Sequence, residues 1–242
     1  MSELVAQLTK GTKYYGKKKV LDDIDISLRS GQILGLIGPS GSGKTTTIKC
    51  LMGMEKLDSG EAQIFNKKMP NRKILNDIGY MGQSDALYGS LTARENLVFF
   101  GNLMGLKGKA LNQAIETNMK LVNLDQSLHQ IVNTFSGGMK RRLSLAITLL
   151  SKPDLIILDE PTVGIDPSLR RDIWEQLNHL TEENKSVIVT THVMSEAERC
   201  DYVGLIVEGH LFTIGTPKEL KEKFGVDSIE EVFIKAEAEV QS

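Results

Sequence analysis

The sequence GPSGSGKT occupies residues 38–45, that is Gly38, Pro39, Ser40, Gly41, Ser42, Gly43, Lys44 and Thr45. It fits the pattern G-x-x-x-x-G-K-[ST], in which glycines turn the main chain so that its N–H groups face phosphate oxygens. An apolar run of strand type precedes it at 33–37, and a helical segment containing Thr45 and Thr46 follows. A plain Gly/Ser turn is the alternative. The full match in a strand–loop–helix setting predicts a nucleoside triphosphate site.

The residue types of this loop assign roles toward the triphosphate. The N-terminus of the following helix presents N–H groups and a positive dipole end to the phosphates. Lys44 is expected to reach the β- and γ-phosphates, and the Thr45 hydroxyl to ligate Mg²⁺. Thr46, in the same helical turn, is counted among the nucleotide-binding residues.

The composition indicates one soluble globular domain, because 40% of the 242 residues are hydrophobic and 25% are charged. A formal net charge of −2 gives no reason to expect nucleic acid as a partner. Cys50 and Cys200 have no CxxC or His-spaced partner, so we expect reduced core thiols in a cytosolic protein. No run approaches the roughly 18 apolar residues of a membrane helix, so a role at a membrane is expected to require a partner chain.

Alternating apolar and polar residues at 4–9 and 24–28 predict two half-buried antiparallel strands, and 61–65 predicts a third strand of this layer. Residues 13–16 are interpreted as a turn that holds Tyr14 and Tyr15. Two interpretations of Tyr15 stay open at this point: stacking on a nucleotide base, or a half-buried turn tyrosine.

Residues from about 84 to 150 change character and predict a helical insertion. Thr92 and Glu95 have the spacing of a capping box, and apolar residues at 111, 115, 119 and 122 keep helical spacing. The stretch Phe135-Ser136-Gly137-Gly138-Met139 then leads into a third helix. Two glycines at a helix entry form a potential second anion site, with a plain loop as the alternative.

Four apolar strands each end in polar groups: the loop at 38–45, Gln83, Asp159 with Glu160, and His192. A strand-end Gln is usually solvated, a lone His is usually structural, and Asp-Glu is often a turn. Parallel strands, however, deliver such groups to one sheet edge, where ligands bind in open α/β sheets. We therefore expect Asp159 to hold Mg²⁺, Glu160 to act as general base, His192 to contact the γ-phosphate, and Gln83 to sense metal and water.

The end of the chain predicts a hairpin at 202–214, a short helix from Pro217 to about Phe224, and a polar, acidic tail from about 226 to 242. The predicted fold class is α/β. It consists of a RecA-like P-loop NTPase core, an antiparallel β subdomain and the inserted α-helical subdomain, all within one domain of residues 1–242.

These motifs together resemble the ATP-binding cassette (ABC) family over essentially the whole chain. GPSGSGKT resembles its Walker A motif, residues 155–160 its Walker B motif with the catalytic glutamate, and residues 163–166, ending in Asp166, its D-loop. Gln83, His192 and Tyr15 are similar to its Q-loop, H-loop and aromatic A-loop. FSGGM resembles its LSGGQ signature, although Met139 replaces Gln. The basic run Lys140-Arg141-Arg142 and the tail at 228–234 resemble the branch that exports drugs and polysaccharides.

The resemblance implies ATP and Mg²⁺ as ligands and two partners. A second ATP-binding subunit would dimerise head to tail, so that Ser136, Gly137 and Gly138 contact the γ-phosphate of the other subunit's ATP. A separate transmembrane permease would dock on the helical insertion and use ATP hydrolysis for export. The chain is then expected in the cytoplasm, peripheral on the cytoplasmic face of the membrane.

Other functions are weighed against this one. A soluble cassette ATPase acting on nucleic acid or the ribosome is disfavoured by the near-neutral charge, the single cassette and the lack of a long coiled coil between Lys44 and Asp159. A regulator without turnover is disfavoured because Glu160 and His192 are both present. Residues 86–88, which include Leu87 and Tyr88, are interpreted either as a docking groove for the membrane subunit or as buried core of the helical insertion.

Overall fold

The computed structural model describes residues 3–241. In chain order the strands and helices are β1 (Leu4–Tyr15), β2 (Lys18–Arg29), β3 (Ile33–Ile37), α1 (Lys44–Leu51), β4 (Ser59–Ile64), β5 (Lys67–Lys68), β6 (Ile78–Met81), α2 (Ala93–Leu103), α3 (Gly108–Leu121), α4 (Gly137–Thr148), β7 (Leu155–Asp159), α5 (Pro167–Glu182), β8 (Ser186–Thr191), α6 (Met194–Ala197), β9 (Tyr202–Val207), β10 (His210–Gly215), α7 (Pro217–Phe224) and α8 (Ile229–Gln241). Short 3₁₀ helices connect some of them, at Arg72–Asp77, Asp125–Ser127 and Val132–Thr134.

The chain divides into two compact units. The first combines residues 1–72 with residues 181–242, and the second comprises residues 73–180. In the first unit, an antiparallel sheet has the strand order β2-β1-β4-β5. This is the predicted antiparallel layer, and its inward residues, such as Leu8, Ile24 and Ile64, are fully buried.

The first unit also contains parallel strands whose side chains are buried on both faces. β3 pairs in parallel with β8 and with β9, and β9 continues into the antiparallel hairpin with β10. All five residues of β3 are buried, as expected for a strand covered on both sides. The main chain of Asp22 in β2 donates to the carbonyl of Gly209 at 2.8 Å, which joins the antiparallel sheet to this hairpin.

The second unit packs helices with the parallel pair β6 and β7. The predicted capping box opens α2: the Glu95 N–H donates to Thr92 Oγ1, and the Thr92 N–H donates to Glu95 Oε2. The apolar faces of α2, α3 and α4 contribute the buried residues Leu97, Leu111, Ile115, Met119 and Leu143. The helices predicted within 84–150 are therefore present.

One sequence prediction about the first unit was wrong. Tyr14 and Tyr15 do not lie in a turn but in the last residues of β1, where they pair with Lys19 and Lys18 of β2. The turn is Gly16-Lys17, and Gly16 has a φ of +61°, a conformation that glycine adopts without steric penalty. The cross-strand ladder thus extends the strand to the edge of the turn.

Three helices were not anticipated, and the shortest of them is α6 (Met194–Ala197). Helix α5 lies between Asp166 and Ser186, and it buries Leu169, Ile173 and Trp174 at helical spacing. The C-terminal segment interpreted as an acidic tail is helix α8. Its acidic residues lie on the solvent side, whereas Ile229, Val232 and Ala236 are completely buried.

The cysteines behave as expected for core thiols. Cys50 and Cys200 are buried and not part of a disulfide. Burial raises the pKa of the Cys50 thiol to about 11 and also raises that of Cys200. Among residues 3–241, no helix combines the length and apolar character needed to cross a membrane.

Replacement of Ile229 by Ala tests whether α8 is part of the folded core. Ile229 is 0% exposed, so the lost burial and the cavity should reduce the free energy of unfolding by about 2–5 kcal/mol. Ile234→Ala is the matched control on the same helix, because Ile234 is 58% exposed and its truncation should change stability by less than about 0.5 kcal/mol. Urea unfolding followed by circular dichroism measures both. Equal effects of the two substitutions would contradict the packing of α8.

Candidate functional site

The loop between β3 and α1 requires glycine at its first position. Gly38 has a φ of +152°, and a Cβ built there would lie 2.0 Å from the carbonyl oxygen of Ile206. Gly43 has a φ of +111°, and a Cβ built there would lie 3.0 Å from the Val20 carbonyl oxygen and 2.8 Å from the Leu21 side chain. The loop is thus held against β2 and β9 by contacts that no side chain would allow.

Lys44 crosses this loop from the first turn of α1. It is 5% exposed, and its Nζ donates to the carbonyls of Gly38 at 2.7 Å and Pro39 at 3.0 Å. An ammonium group in this place puts a positive charge at the centre of the glycine loop. Thr45 and Thr46 follow it in the same turn and are half-buried.

The N-terminus of α1 differs from those of α2 and α4. No side chain caps it, and its N-cap residue is Gly43. Thr92 caps α2 and Ser136 caps α4 through their hydroxyl oxygens. The hydroxyl of Ser42 is also buried and has no hydrogen-bond partner among residues 3–241. Helix N–H groups left without a side-chain acceptor, together with an unpaired buried hydroxyl, fit the oxygens of a bound phosphate.

Tyr15 lies beside this helix at the end of β1. Tyr15 is 45% exposed, and Lys13 Nζ lies 5.2 Å from its ring centroid. Partial burial, followed by the charge of Glu55, raises the pKa of Tyr15. A half-exposed ring near α1 is available for the stacking interpretation, which stays a prediction.

His192 follows β8 at the same end of the sheet as the glycine loop. The register pairs Ile37 with Thr191, so the residues that follow both strands leave the sheet side by side. The turn after His192 is fixed, because Thr191 Oγ1 donates to the buried Glu196 carboxylate at 2.7 Å and accepts from the Val193 N–H at 3.0 Å. His192 itself is exposed.

The second unit contains an analogous pair of strand ends. Met81 in β6 pairs with Leu158 in β7, so Gln83 and Glu160 both follow the carboxyl ends of adjacent parallel strands. Asp159 is fully buried, whereas Glu160 is half-buried and Gln83 is exposed. Glu160 has a φ of +54°, which is uncommon for a residue with a side chain.

These strand ends line a pocket of about 700 Å³ within the second unit. Sequence-predicted residues in its wall are Gln83, Ser136, Gly137, Gly138, Glu160 and Asp166. A volume of this size suits a ligand or a group from another molecule. The structure therefore gathers the predicted residues into two sets: Tyr15, the glycine loop and His192 in the first unit, and the pocket residues with Asp159 in the second.

The two signature glycines have different surroundings. Gly138 lies close to the main chain of Gly164, since a built Cβ would lie 3.0 Å from its carbonyl oxygen. Gly137 is exposed, and a built Cβ there would meet nothing within 4 Å among the described residues. No contact among residues 3–241 therefore explains why position 137, in the first turn of α4, is glycine.

Asp166 has a local structural role. Its Oδ1 accepts from Ser168 Oγ at 2.7 Å and from the Leu169 N–H at 3.1 Å, as an N-cap residue does at the start of a helix. These hydrogen bonds, with that from Ser168 first, hold the pKa of Asp166 below its usual value. The carboxylate fixes the loop 163–166 to the start of α5.

One residue of the pocket was missed by the sequence interpretation. Arg141 was considered only as part of a basic run, yet it is 5% exposed and binds the main chain of Gln83 and Glu160. A basic run usually indicates a solvated helix face. Helical spacing from Leu145 gives a hint, because Arg141 lies four residues before that buried side chain.

The sequence is similar to known proteins of one family. The model of the ABC transporter family matches residues 21–163. The linearmycin resistance ATP-binding protein LnrL of Bacillus subtilis is 42% identical over 223 residues, which cover 90% of this chain and 71% of that protein. The Nod factor export ATP-binding protein I of Sinorhizobium fredii is 40% identical over 233 residues, covering 95% and 68%. The probable multidrug ABC transporter ATP-binding protein YbhF of Escherichia coli is 38% identical over 239 residues, covering 96% of this chain but 41% of that protein. The chain thus spans less than half of this last relative.

Solved structures are similar over most of the chain. The ATP-binding subunit of an ABC transporter gives a TM-score of 0.88 at 25% identity and covers 96% of this chain and 99% of that chain. A bacterial ABC transporter cassette, described as dimeric, gives a TM-score of 0.81 at 26% identity and covers 87% and 98%. These likenesses confirm the predicted fold class.

Substitutions in the glycine loop test its geometry. Gly38→Ala should destabilise the protein by more than about 2 kcal/mol, because the methyl group meets a backbone carbonyl and the φ is disfavoured. Gly41→Ala is the control: Gly41 has a φ of +82° but open space around it, so only a conformational cost of about 1–2 kcal/mol is expected. Thermal and urea unfolding without nucleotide measure the difference. A Gly38→Ala protein as stable as Gly41→Ala would contradict the loop geometry.

Proposed function

Because the chain belongs to the ABC transporter family, we propose that it binds and hydrolyses ATP to drive export by a separate transmembrane subunit. The observation that carries this proposal is the loop at residues 38–45. It combines the Lys44 ammonium, a helix N-terminus without a side-chain cap and the buried Ser42 hydroxyl. This donor set suits the β- and γ-phosphates, while Tyr15 would stack on the adenine base.

The oxygen donors of the chain fit Mg²⁺. The Thr45 hydroxyl, the buried Asp159 carboxylate and the Gln83 amide oxygen are hard ligands of the type that this ion prefers. We propose that these three residues would hold it, directly or through water. Bound Mg²⁺ would supply positive charge that offsets the negative charge of the phosphates.

Glu160 is the general base in this proposal. Water attacks the γ-phosphorus, the bond from that phosphorus to the bridging oxygen of ADP breaks, and the Glu160 carboxylate accepts the proton of the water. The imidazole of His192 would contact the γ-phosphate. Gln83 would orient the water and respond to the presence of the γ-phosphate.

Glu160→Gln separates catalysis from binding. The amide keeps the shape of the side chain but cannot accept the proton, so steady-state hydrolysis should fall by about 10²-fold or more at nearly unchanged ATP affinity. Lys44→Ala is the complementary variant, and it should weaken ATP binding itself by removing the ammonium from the loop. Phosphate release and calorimetric titration measure the two effects. Hydrolysis by Glu160→Gln within about twofold of wild type would reject Glu160 as the base.

A second cassette is proposed as a partner, with the signature of each subunit facing the ATP of the other. Gly137 supports this arrangement, because a Cβ built there meets nothing within 4 Å among residues 3–241, and glycine allows close approach of a phosphate or a main chain from outside. Ser136, Gly137 and Gly138 would then donate to the γ-phosphate at the N-terminus of α4. The similar cassette described as dimeric supports the same stoichiometry. Asp166, which fixes the neighbouring loop, would lie at this interface.

A transmembrane permease is the second proposed partner, which would place the chain on the cytoplasmic face of the membrane. Relatives named for multidrug transport, linearmycin resistance and Nod factor export support an exporter that handles drugs or polysaccharides. No nucleic-acid partner is proposed.

The docking surface proposed for the permease is an exposed hydrophobic patch on the second unit, formed by Tyr88, Phe99 and Leu103. Their exposed fractions are 47%, 38% and 68%, and the rings of Tyr88 and Phe99 meet edge to face at 4.9 Å between centroids. The buried Asn96 fixes the main chain of Tyr88, because its side chain accepts from the Tyr88 N–H and donates to the Tyr88 carbonyl. Tyr88 is therefore a surface residue with a fixed main chain and not part of the core, and Leu87 beside it is half-buried.

Tyr88→Asp tests this surface. Because nearly half of the ring is exposed, the variant should fold, melt within a few degrees of wild type and hydrolyse ATP alone. Its retention in washed membranes that contain the permease should be lost, since a carboxylate is placed in an apolar contact. Ile234→Asp is the control, an exposed apolar residue of the first unit, and should be retained. Retention of Tyr88→Asp, or a collapse of its melting temperature, would reject the patch as the docking surface.

A further inference from the structure

The guanidinium of Arg141 joins the two catalytic strand ends of the second unit. Its Nη1 donates to the carbonyls of Gly82 at 2.6 Å and Gln83 at 3.2 Å. Its Nη2 donates to the carbonyls of Asp159 and Glu160, the latter at 2.8 Å. One side chain thus contacts the main chain next to Gln83 and next to Glu160.

The burial of Arg141 is balanced by this set of acceptors. The residue is 5% exposed, and burial lowers the pKa of its guanidinium, while the carboxylates of Asp85 and Asp159 act in the opposite direction. The Asp85 carboxylate lies 3.6 Å from Arg141 Nη1. A buried cation without such partners would be strongly unfavourable, so the geometry of the surrounding main chain and the presence of the cation depend on each other.

The shape of arginine is required for these contacts. Its planar fork presents two nitrogens in fixed directions, so it can bind two separate segments at once. A lysine ammonium at the same place is a single point and cannot reach both sets of carbonyls in one geometry. The residue it holds, Glu160, adopts a φ of +54°, and such a conformation persists only where neighbouring contacts stabilise it.

Arg141 also connects both strand ends to the signature. It lies on α4, little more than one turn after the N-cap Ser136. A second contact from the same helix supports it, because Ser144 Oγ donates to Asp85 Oδ1 at 2.9 Å. Helix α4 is therefore linked to the segment 82–85 and to Glu160 through the side chains of Arg141 and Ser144.

We propose that Arg141 is a positioning residue that aligns Gln83 and Glu160 with each other and couples both to the signature helix. This inference rests on the proposed role of Glu160 as general base. Arg141 does not touch the reacting atoms. It fixes the main chain on which the two polar side chains are mounted, so its loss misplaces them without removing either.

Arg141→Lys tests the proposal because it keeps the positive charge and removes the fork. The turnover number should fall by about tenfold or more, since small misplacements of catalytic groups have large effects on rate. The ATP dissociation constant should change by less than about threefold, because the loop at 38–45 is intact. Arg94→Lys is the control: Arg94 Nη2 donates to Asn112 Oδ1 at 3.1 Å between α2 and α3, and the substitution should leave turnover within about twofold.

A double-substitution cycle separates positioning from a general loss of structure. In the Glu160→Gln background, single-turnover hydrolysis should decrease by less than about threefold on adding Arg141→Lys, because the base that Arg141 positions is already absent. A further decrease as large as in the wild-type background would overturn the proposal. So would wild-type turnover by Arg141→Lys alone.

A second variant tests the proposal if Arg141→Lys does not fold. If Arg141→Lys does not fold, Asp85→Asn decides, because it leaves Arg141 in place and removes only the neighbouring charge. A decrease in turnover of about threefold or more at unchanged ATP affinity supports the proposal, and unchanged turnover overturns it. Glu160→Gln distinguishes a failure of the proposed general base from a failure of the proposed role of Arg141. If that variant hydrolyses ATP normally, the proposed base is wrong; if it is inactive and Arg141→Lys is not, only the role of Arg141 is wrong.

Discussion

Short parallel strands that are buried on both faces can carry charged groups only where they end. Each residue of β3, β7 and β8 is buried, so the acidic group of β7, Asp159, stands at its last position. The register then fixes which strand ends are neighbours: Ile37 pairs with Thr191 in the first unit, and Met81 pairs with Leu158 in the second. The candidate site depends on this constraint, because the residues that can bind or activate a ligand have no other place on the strands.

Helix N-termini are used differently at the two glycine-containing loops. At α1 no side chain satisfies the first N–H groups, and Lys44 closes the loop from within. At α4 the Ser136 hydroxyl accepts from the Met139 N–H, so the helix is capped by its own residue. The first arrangement suits a ligand held firmly by one chain, and the second suits a surface that a ligand meets from outside.

The buried cation of Arg141 fixes the relative position of two main-chain segments, and this role differs from a contribution to stability. Replacing a buried ion pair by apolar side chains is often neutral or stabilising, so such a group is poor evidence of stabilisation. Here the cation is surrounded by main-chain carbonyls from two segments that a hydrophobic side chain could not hold in register. The arrangement links the helix that begins at Ser136 with the residues on either side of the pocket.

Much of this protein is determined by local sequence. The loop at 38–45, the capping box of Thr92 and Glu95, and the apolar strands with their terminal polar groups were predicted correctly, because each has a recognisable pattern within a short stretch of sequence. The family was also recognised from such motifs.

What the sequence did not determine depends on distant contacts: β1 extends through Tyr15 because β2 pairs with it, and α8 forms as a packed helix because Ile229 and Val232 are buried in the first unit. Arg141 is the clearest case. Its sequence neighbours are Lys140 and Arg142, which indicate a solvated face. Only the tertiary structure brings the carbonyls of Gln83 and Glu160 to its guanidinium, where the charge can be buried because both terminal nitrogens donate to main-chain acceptors.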